Sequence, residues 1–344
     1  MNKVKIGIIG MGQRTCFHGG CVFREVGSEI QIAGLCDNRP DRLARGKAMY
    51  AKEFGYSIPT YADYHEMFAK GGLDAVYVCG PNYLHRDMSV AAFQGGLHVL
   101  CEKPMEVTLA KCDEIMAAAR KSGKVLAMGM QMHYRVRYHK VTELIDQGII
   151  GQPAMVWCTE YRGPYIEMKD WVWDKNKSGG AIVEKNCHHY DVLDLWVKGS
   201  EPATVYATGN IMKHKHRSGV DSQIADNAWI ANDYACGARG MVGICFLTTT
   251  QHYREFGVQG MEGRIVFSTN DDEMLHVELN DGSTMTYHSQ ANLRGGIWKD
   301  FVDCVRTGRE PLVTGARARK SLLIPMAAEK SMAEKRIVKI EEIM

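Results

Sequence analysis

The chain has no stretch long and apolar enough to span a membrane or serve as a signal peptide, and Met1-Asn2-Lys3 leads straight into a strand-like segment. A cytoplasmic location is expected. Neither sign of charge prevails. Against 42 Lys and Arg stand 40 Asp and Glu, so the formal net charge of +2 offers no broad field to nucleic acid or an anionic membrane. The single short basic run, Lys213-His214-Lys215-His216-Arg217, reads as a solvated loop rather than a phosphate patch. No CxxC pair occurs, because Cys16 and Cys21 lie five apart, and the 11 cysteines are mostly scattered singly among apolar residues. A structural zinc site finds no support in that spacing, whereas reduced, buried thiols fit it. Repeats and low-complexity tracts are also missing.

What remains is a 344-residue chain, 45% hydrophobic and 24% charged, of a length that suits two soluble domains. The apolar run Val4 to Ile9, the turn Gly10-Met11-Gly12 and a helical stretch to about Val26 read as strand, glycine turn, helix. The same alternation continues. Strands are expected at Ile30 to Cys36, Ala75 to Cys79, His98 to Cys101 and Val125 to Met130. Helices are expected at Pro40 to Phe54, Asp63 to Lys70, Tyr83 to Gln94 and from a Thr108 cap to Ser122. Strands and helices in this rhythm imply a doubly wound parallel sheet of Rossmann type, assigned here to residues 1–123.

After Gly151 the pattern changes. A strand (Ala154 to Tyr161), an aromatic loop (Tyr165 to Trp173) and a strong helix (Ala181 to Val197) precede about six strand-like stretches between Ala203 and His288. Two more helices, near Ile297 to Thr307 and Arg317 to Ala333, close the chain. Residues 124–344 are therefore expected to form an α+β domain with an antiparallel or mixed sheet.

Chemistry gathers where those strands end. Gly10-x-Gly12, with Gln13 and Arg14 in the same turn, lets backbone N–H groups approach a pyrophosphate, although Thr15 stands where a third glycine is usual. Asp37, about 25 residues after Gly12, is placed to accept from a ribose 2'-hydroxyl and would repel a 2'-phosphate, so NAD is expected over NADP. Asn38 and Arg39 follow it, and Arg39 could stack on adenine, greet a phosphate or simply be solvated. Gly80-Pro81-Asn82 and His85 follow the next apolar strand, a lone histidine such as His85 being more often a satisfied structural residue than a ligand. Glu102-Lys103-Pro104 ends the strand after that, where a surface salt-bridged turn is the plain alternative. Farther on, Gly179-Gly180 opens a helix carrying Glu184 and His188 on one face and Asp191 a turn beyond. A carboxylate and an imidazole so placed can act on one hydroxyl. Zinc ligation competes, but no third ligand stands at motif spacing, so no metal is expected. His189 points elsewhere and reads as structural. Tyr161, Tyr165, Trp171 and Trp173 precede this helix and could stack on a sugar or merely pack.

In order, Gly10-x-Gly12-x-x-Thr15-x-x-His18, Asp37, Pro81-Asn82-x-x-His85, Glu102-Lys103-Pro104 and Gly179-Gly180-x3-Glu184-x3-His188-x2-Asp191 resemble the Gfo/Idh/MocA oxidoreductases, as do Gly148-Ile-Ile-Gly151 and Phe301-x4-Arg306-x-Gly308 near the end. The resemblance implies that the second domain is built on a large open, mostly antiparallel sheet that binds substrate and mediates oligomers, and that a homodimer or homotetramer oxidises or reduces sugars, sugar derivatives or inositols. It makes Lys103 the contact to the nicotinamide ribose and the reacting hydroxyl, and His188 the catalytic acid/base. Glu184 stands where aspartate is usual, and Lys185 is a further contact to an acidic or polar group. Tyr161 and Trp171 complete the expected substrate site. Two other readings stay open: redox-neutral glycoside cleavage through transient oxidation, with Tyr161, Tyr165 or Lys185 as an added base, and an NAD-binding sugar sensor without turnover.

Overall fold

Six parallel strands, β1 (Val4–Ile9), β2 (Ile30–Cys36), β3 (Thr60–Tyr61), β4 (Ala75–Val78), β5 (His98–Cys101) and β6 (Leu126–Met128), pair in the order β3-β2-β1-β4-β5-β6. The coordinates are a computed structural model and describe residues 2–15, 26–163, 170–217, 220–248, 252–268, 274–288 and 291–344. The strand order reverses between β1 and β4, so the loops leaving their carboxyl ends flank the crevice where such sheets bind ligands. Local signals set the connecting helices. Pro40 starts the Pro40–Phe54 helix, and Gly55, at φ 76°, ends it. The Thr108 hydroxyl accepts from the Lys111 N–H to cap Leu109–Ser122.

The chain divides into two compact units, Met1–Tyr134 with Leu293–Arg319, and Arg135–Asn292 with Lys320–Met344. The first unit thus runs past the expected boundary at residue 123 and takes back a late segment. Packing is the reason: the Ile297–Thr307 helix buries Trp298, Phe301 and Val302 in the core built from Ile6, Ile8, Leu35 and Tyr77. The Trp298 ring meets Tyr77 edge-on at 5.0 Å.

In the second unit, nine strands pair in the order β16-β15-β14-β13-β7-β12-β11-β8-β17. These are β7 (Pro153–Tyr161), β8 (Pro202–Asn210), β11 (Asn227–Tyr234), β12 (Arg239–Cys245), β13 (Tyr253–Gly260), β14 (Gly263–Ser268), β15 (Leu275–Leu279), β16 (Thr284–Tyr287) and β17 (Val338–Lys339). A separate two-stranded pair joins β9 (His216–Arg217) to β10 (Val220–Asp221). Every neighbouring pair in the large sheet is antiparallel except β7 with β12, the mostly antiparallel sheet expected. The basic run is therefore partly ordered: the Asp226 carboxylate accepts the backbone N–H groups of Met212, Lys213 and His214, and His216 pairs with Asp221.

Residues alternate across β7. Val156, Cys158 and Glu160 are buried on the side of the Ala181–Trp196 helix, while Met155 and Tyr161 are exposed on the other face. Register places Met241, Trp229 and Tyr206 on that same outer face, each more than a third exposed.

Candidate active site

The turn after β1 is shaped by Gly10, whose φ of 91° few other residues adopt. A Cβ there would stand 2.4 Å from the Cys79 carbonyl oxygen, so the β1 and β4 ends approach closely only because none is present. Thr15, fully buried, donates its hydroxyl to the Gly10 carbonyl at 2.5 Å and ties the turn to itself, which accounts for a side chain in place of the third glycine. At Gly12 no atom of the described residues lies within 4 Å of the position a Cβ would take, as the approach of a pyrophosphate to the backbone requires. Gln13 is exposed beside it.

At the end of β2, Asp37 accepts the Met11 N–H at 2.7 Å through Oδ2 and the Arg39 N–H at 2.9 Å through Oδ1. Its carboxylate is thereby fixed beside the glycine turn. Asn38 is exposed, and the Arg39 guanidinium is turned to Asp41 in a paired contact at 3.1 Å through both Nε and Nη2. This unit fits a dinucleotide: a glycine turn in which no described residue crowds Gly12, and an anchored carboxylate at the adjacent strand end.

Glu102 is buried, which removes the surface-turn reading of Glu102-Lys103-Pro104. Its Oε1 accepts from Arg14 Nε at 3.1 Å and the Tyr77 hydroxyl at 2.8 Å, and its Oε2 from the Lys103 N–H at 3.1 Å. Arg14 also donates to Gln131 Oε1 at 2.5 Å. Its guanidinium is thus committed to the ends of β5 and β6, an arrangement that its place in the glycine turn did not reveal. The buried His85 ring lies 2.9 Å from the Pro104 carbonyl and 3.1 Å from that of Gly80, clasping the two loops on either side of Lys103 and Pro81-Asn82. Burial pushes its pKa below the ordinary histidine value, against the pull of those carbonyls. Lys103 itself is half-buried.

In the second unit the Ala181–Trp196 helix starts where two glycines take positive φ, 83° at Gly179 and 96° at Gly180. The Glu329 carboxylate occupies the space beside Gly180, and a Cβ there would lie 2.2 Å from its Oε1. That carboxylate pairs with Lys175 at 2.8 Å, so negative charge from another helix sits beside the positive helix end. Glu184, Lys185, His188 and Asp191 follow, all buried.

Facing this helix, Glu160 is completely buried and gathers basic groups. It meets His189 Nε2 at 2.7 Å, His252 Nε2 at 2.8 Å, Lys185 Nζ at 3.2 Å and Arg162 Nη1 at 3.4 Å. Burial opposes its charge, but Lys185, His189 and His252 overcome that and hold its pKa well below the ordinary glutamate value. His189 is buried against Glu160, and burial, only partly offset by that carboxylate, lowers its pKa to about 4.

One expectation needs correcting. Tyr161 follows Glu160 in β7 and so points to the opposite face, where it is 40% exposed and stacks on Tyr253 at 6.3 Å. It does not share the helix-facing side with His188. Trp171 lies half-buried in the Asp170–Trp173 turn, whereas Tyr165 and His18 lie outside the described residues. Glu160 and His252 were missed, although a charged residue two places after inward-facing Cys158 was a readable signal. Among the described residues no three His, Cys, Asp or Glu side chains form a metal-holding group.

Residues 4–130 match the oxidoreductase family with an NAD-binding Rossmann fold, Gfo/Idh/MocA, and residues 142–340 match the C-terminal alpha/beta domain of the same family. The chain belongs to the Gfo/Idh/MocA family. It is an oxidoreductase, and the ordered motifs that suggested the family span both matched regions. Among curated Gfo/Idh/MocA relatives, the myo-inositol 2-dehydrogenase of Thermotoga maritima is 28% identical over 353 residues, covering 99% of this chain and all of that protein. The 2,7-anhydro-N-acetylneuraminate hydratase of Mediterraneibacter gnavus is 25% identical over 388 residues, covering 100% and 98%. A probable dehydrogenase from Thermotoga maritima has a similar fold, with a TM-score of 0.76 at 25% identity and coverage of 99% and 100%.

Proposed function

We propose that this enzyme transfers hydride between a secondary carbinol carbon of a sugar, sugar derivative or cyclitol and the nicotinamide of NAD. The carrying observation is the buried Glu184 and His188 pair, one turn apart on a helix whose start is fixed by Glu329, in a family whose other domain binds NAD. When bound, NAD supplies the hydride acceptor. The chain supplies the rest. His188 takes the hydroxyl proton during oxidation and returns it during reduction, a task imidazole suits because it titrates near neutral pH. The Lys103 ammonium stabilises developing alkoxide charge, and Glu184 orients a hydroxyl or the imidazole. Gly10, Gly12, Gln13, Gly80, Pro81 and Asn82 line the dinucleotide, while Lys185 and Trp171 contact substrate.

NAD is favoured over NADP by two features. Asp37 is anchored where a 2'-phosphate would be repelled, and Arg39, the nearby cation, is engaged by Asp41. Homo-oligomers through the open sheet are supported by the exposed Met155, Tyr206, Trp229 and Met241. A cytoplasmic location is supported by the nine free thiols among the described residues, seven of them buried. No described helix is long and apolar enough to cross a membrane.

An NAD-coupled screen of inositols, hexoses, amino sugars and glycosides, reading NADH and product mass, tests the proposal. NADH formed in step with an oxidised product supports it, and no hydride transfer to any member overturns it. His188→Ala should lower kcat about 10²–10⁴-fold with NADH affinity retained; unchanged turnover would remove His188 from the role. The full-length similarity to a hydratase favours a second reading, cleavage or hydration with NAD used catalytically. Product without net NADH would select it, with Lys185, on the same helix as His188, as the added base.

A further inference from the structure

Glu184 and His188 stand four residues apart on one face of the Ala181–Trp196 helix, and Lys185 and His189 form a second pair one residue out of step. Successive residues are rotated by about 100°, so the second pair projects to one side of the first. Glu160 holds both members of that second pair. Its Oε1 meets Lys185 Nζ at 3.2 Å, and its Oε2 meets His189 Nε2 at 2.7 Å.

The carboxylate itself is firmly held. Glu160 lies within β7, paired with Ile244 of β12 on one side and Arg254 of β13 on the other, and its side chain is fully buried. Other anchors fix the ends of the helix: Glu329 at the start, and Trp196, whose Nε1 donates to the Tyr138 carbonyl at 3.1 Å. Neither resists rotation at its middle as directly as one carboxylate gripping two side chains a turn apart. A rotation of about 10° moves a side-chain tip about 6 Å from the axis by about 1 Å. Misplacement on that scale can cost about 10²-fold in rate.

We propose that Glu160 is a positioning residue, pinning the helix through Lys185 and His189 and so fixing how Glu184 and His188 are presented. This rests on the reading of His188 as acid/base. The test is a cycle of Glu160→Gln and His188→Asn in the full-length enzyme with NAD and the best substrate of the screen. Glu160→Gln should lower kcat at least tenfold with NADH affinity within twofold of the wild type. In the His188→Asn background the same change should cost less than twofold. An equal loss in both backgrounds, or wild-type kcat in folded Glu160→Gln, overturns the proposal. Should Glu160→Gln not unfold cooperatively, Glu160→Asp, with its shorter stem, is judged by the same criteria. If the wild type transfers no hydride at all, the functional reading fails by itself, and imidazole NMR decides this one. A His188 ring shift that changes in the variant while His85, in the other unit, does not supports the pin; an unmoved His188 overturns it.

Discussion

Arg14, in the glycine turn, donates its Nε–H to Glu102, at the end of β5, across 3.1 Å. Glu102 in turn accepts the backbone N–H of Lys103. The pair joins the segment that would cradle the pyrophosphate to the one that carries the lysine, so a disturbance at either reaches the other.

Arg14→Met leaves the buried Glu102 with the Tyr77 hydroxyl and the Lys103 N–H but without its cation. A loss of about 2 kcal/mol is expected, below the full cost of breaking a buried pair because Arg14 is itself 26% exposed. NADH affinity should fall with it. Urea unfolding and NADH fluorescence titration measure the two effects, and an unchanged midpoint would mean that Glu102 needs no cation.

The proposed preference for NAD over NADP is tested at Asp37 and Asp41. On that proposal, Asp37→Ser with Asp41→Ala removes the carboxylate expected to repel a 2'-phosphate and the acidic partner that Arg39, a cation suited to one, now holds. The ratio of kcat/KM for NAD over NADP should fall at least tenfold. A ratio that stays fixed places the discrimination elsewhere.

Stability should decline on acidification well before ordinary carboxylates titrate. His189 has a pKa lowered to about 4 in the folded chain, so between pH 6.5 and 4 the unfolded chain binds a proton that the folded one refuses. Unfolding is then favoured progressively as pH falls through that window, by up to about 3 kcal/mol. His85, also lowered, acts with the same sign, and Glu160, held below its ordinary value, adds a loss at still lower pH. Urea midpoints at pH 7.0, 5.5 and 4.5 should drop in that order. The drop should be smaller in His189→Asn, and an equal drop would assign it to other groups.

Gly180→Ala places a methyl group where Glu329 now sits and forces alanine to φ 96°. Both penalties act at the start of the helix that carries His188. A destabilisation of about 2 kcal/mol or more is expected, with a fall in kcat larger than any change in NADH affinity. Glu329→Ala in the same chain should recover part of the stability by vacating the space. No recovery would show that the backbone angle alone is responsible.

Much of this was legible in the sequence. Local signals, among them Pro40, Gly55, Thr108 and the glycine turn, set where elements begin and end, and they sit where the residues required them. That Glu184 and His188 share one face of a helix followed from spacing alone. Glu102 was less legible, because its burial depends on Tyr77 and Arg14, which are 25 and 88 residues away. Tyr161 failed for a different reason: aromatic character suggested a sugar contact, but alternation along β7 decided the face, and that parity could be settled only by the neighbouring strands. Glu160 and His252, 92 residues apart, meet through the pairing of β7 with β13, which no local pattern encodes.

The return of the Ile297–Thr307 helix to the first unit bears on how the protein is made. The six strands of that unit have all been synthesised by Met128, yet Trp298, Phe301 and Val302, which fill its core, follow about 170 residues later. A nascent chain halted after Tyr134 would leave part of the apolar surface around Tyr77 without its covering. Synthesis order thus runs against folding order: the nucleotide-binding half starts first and is completed only when most of the other half has left the ribosome.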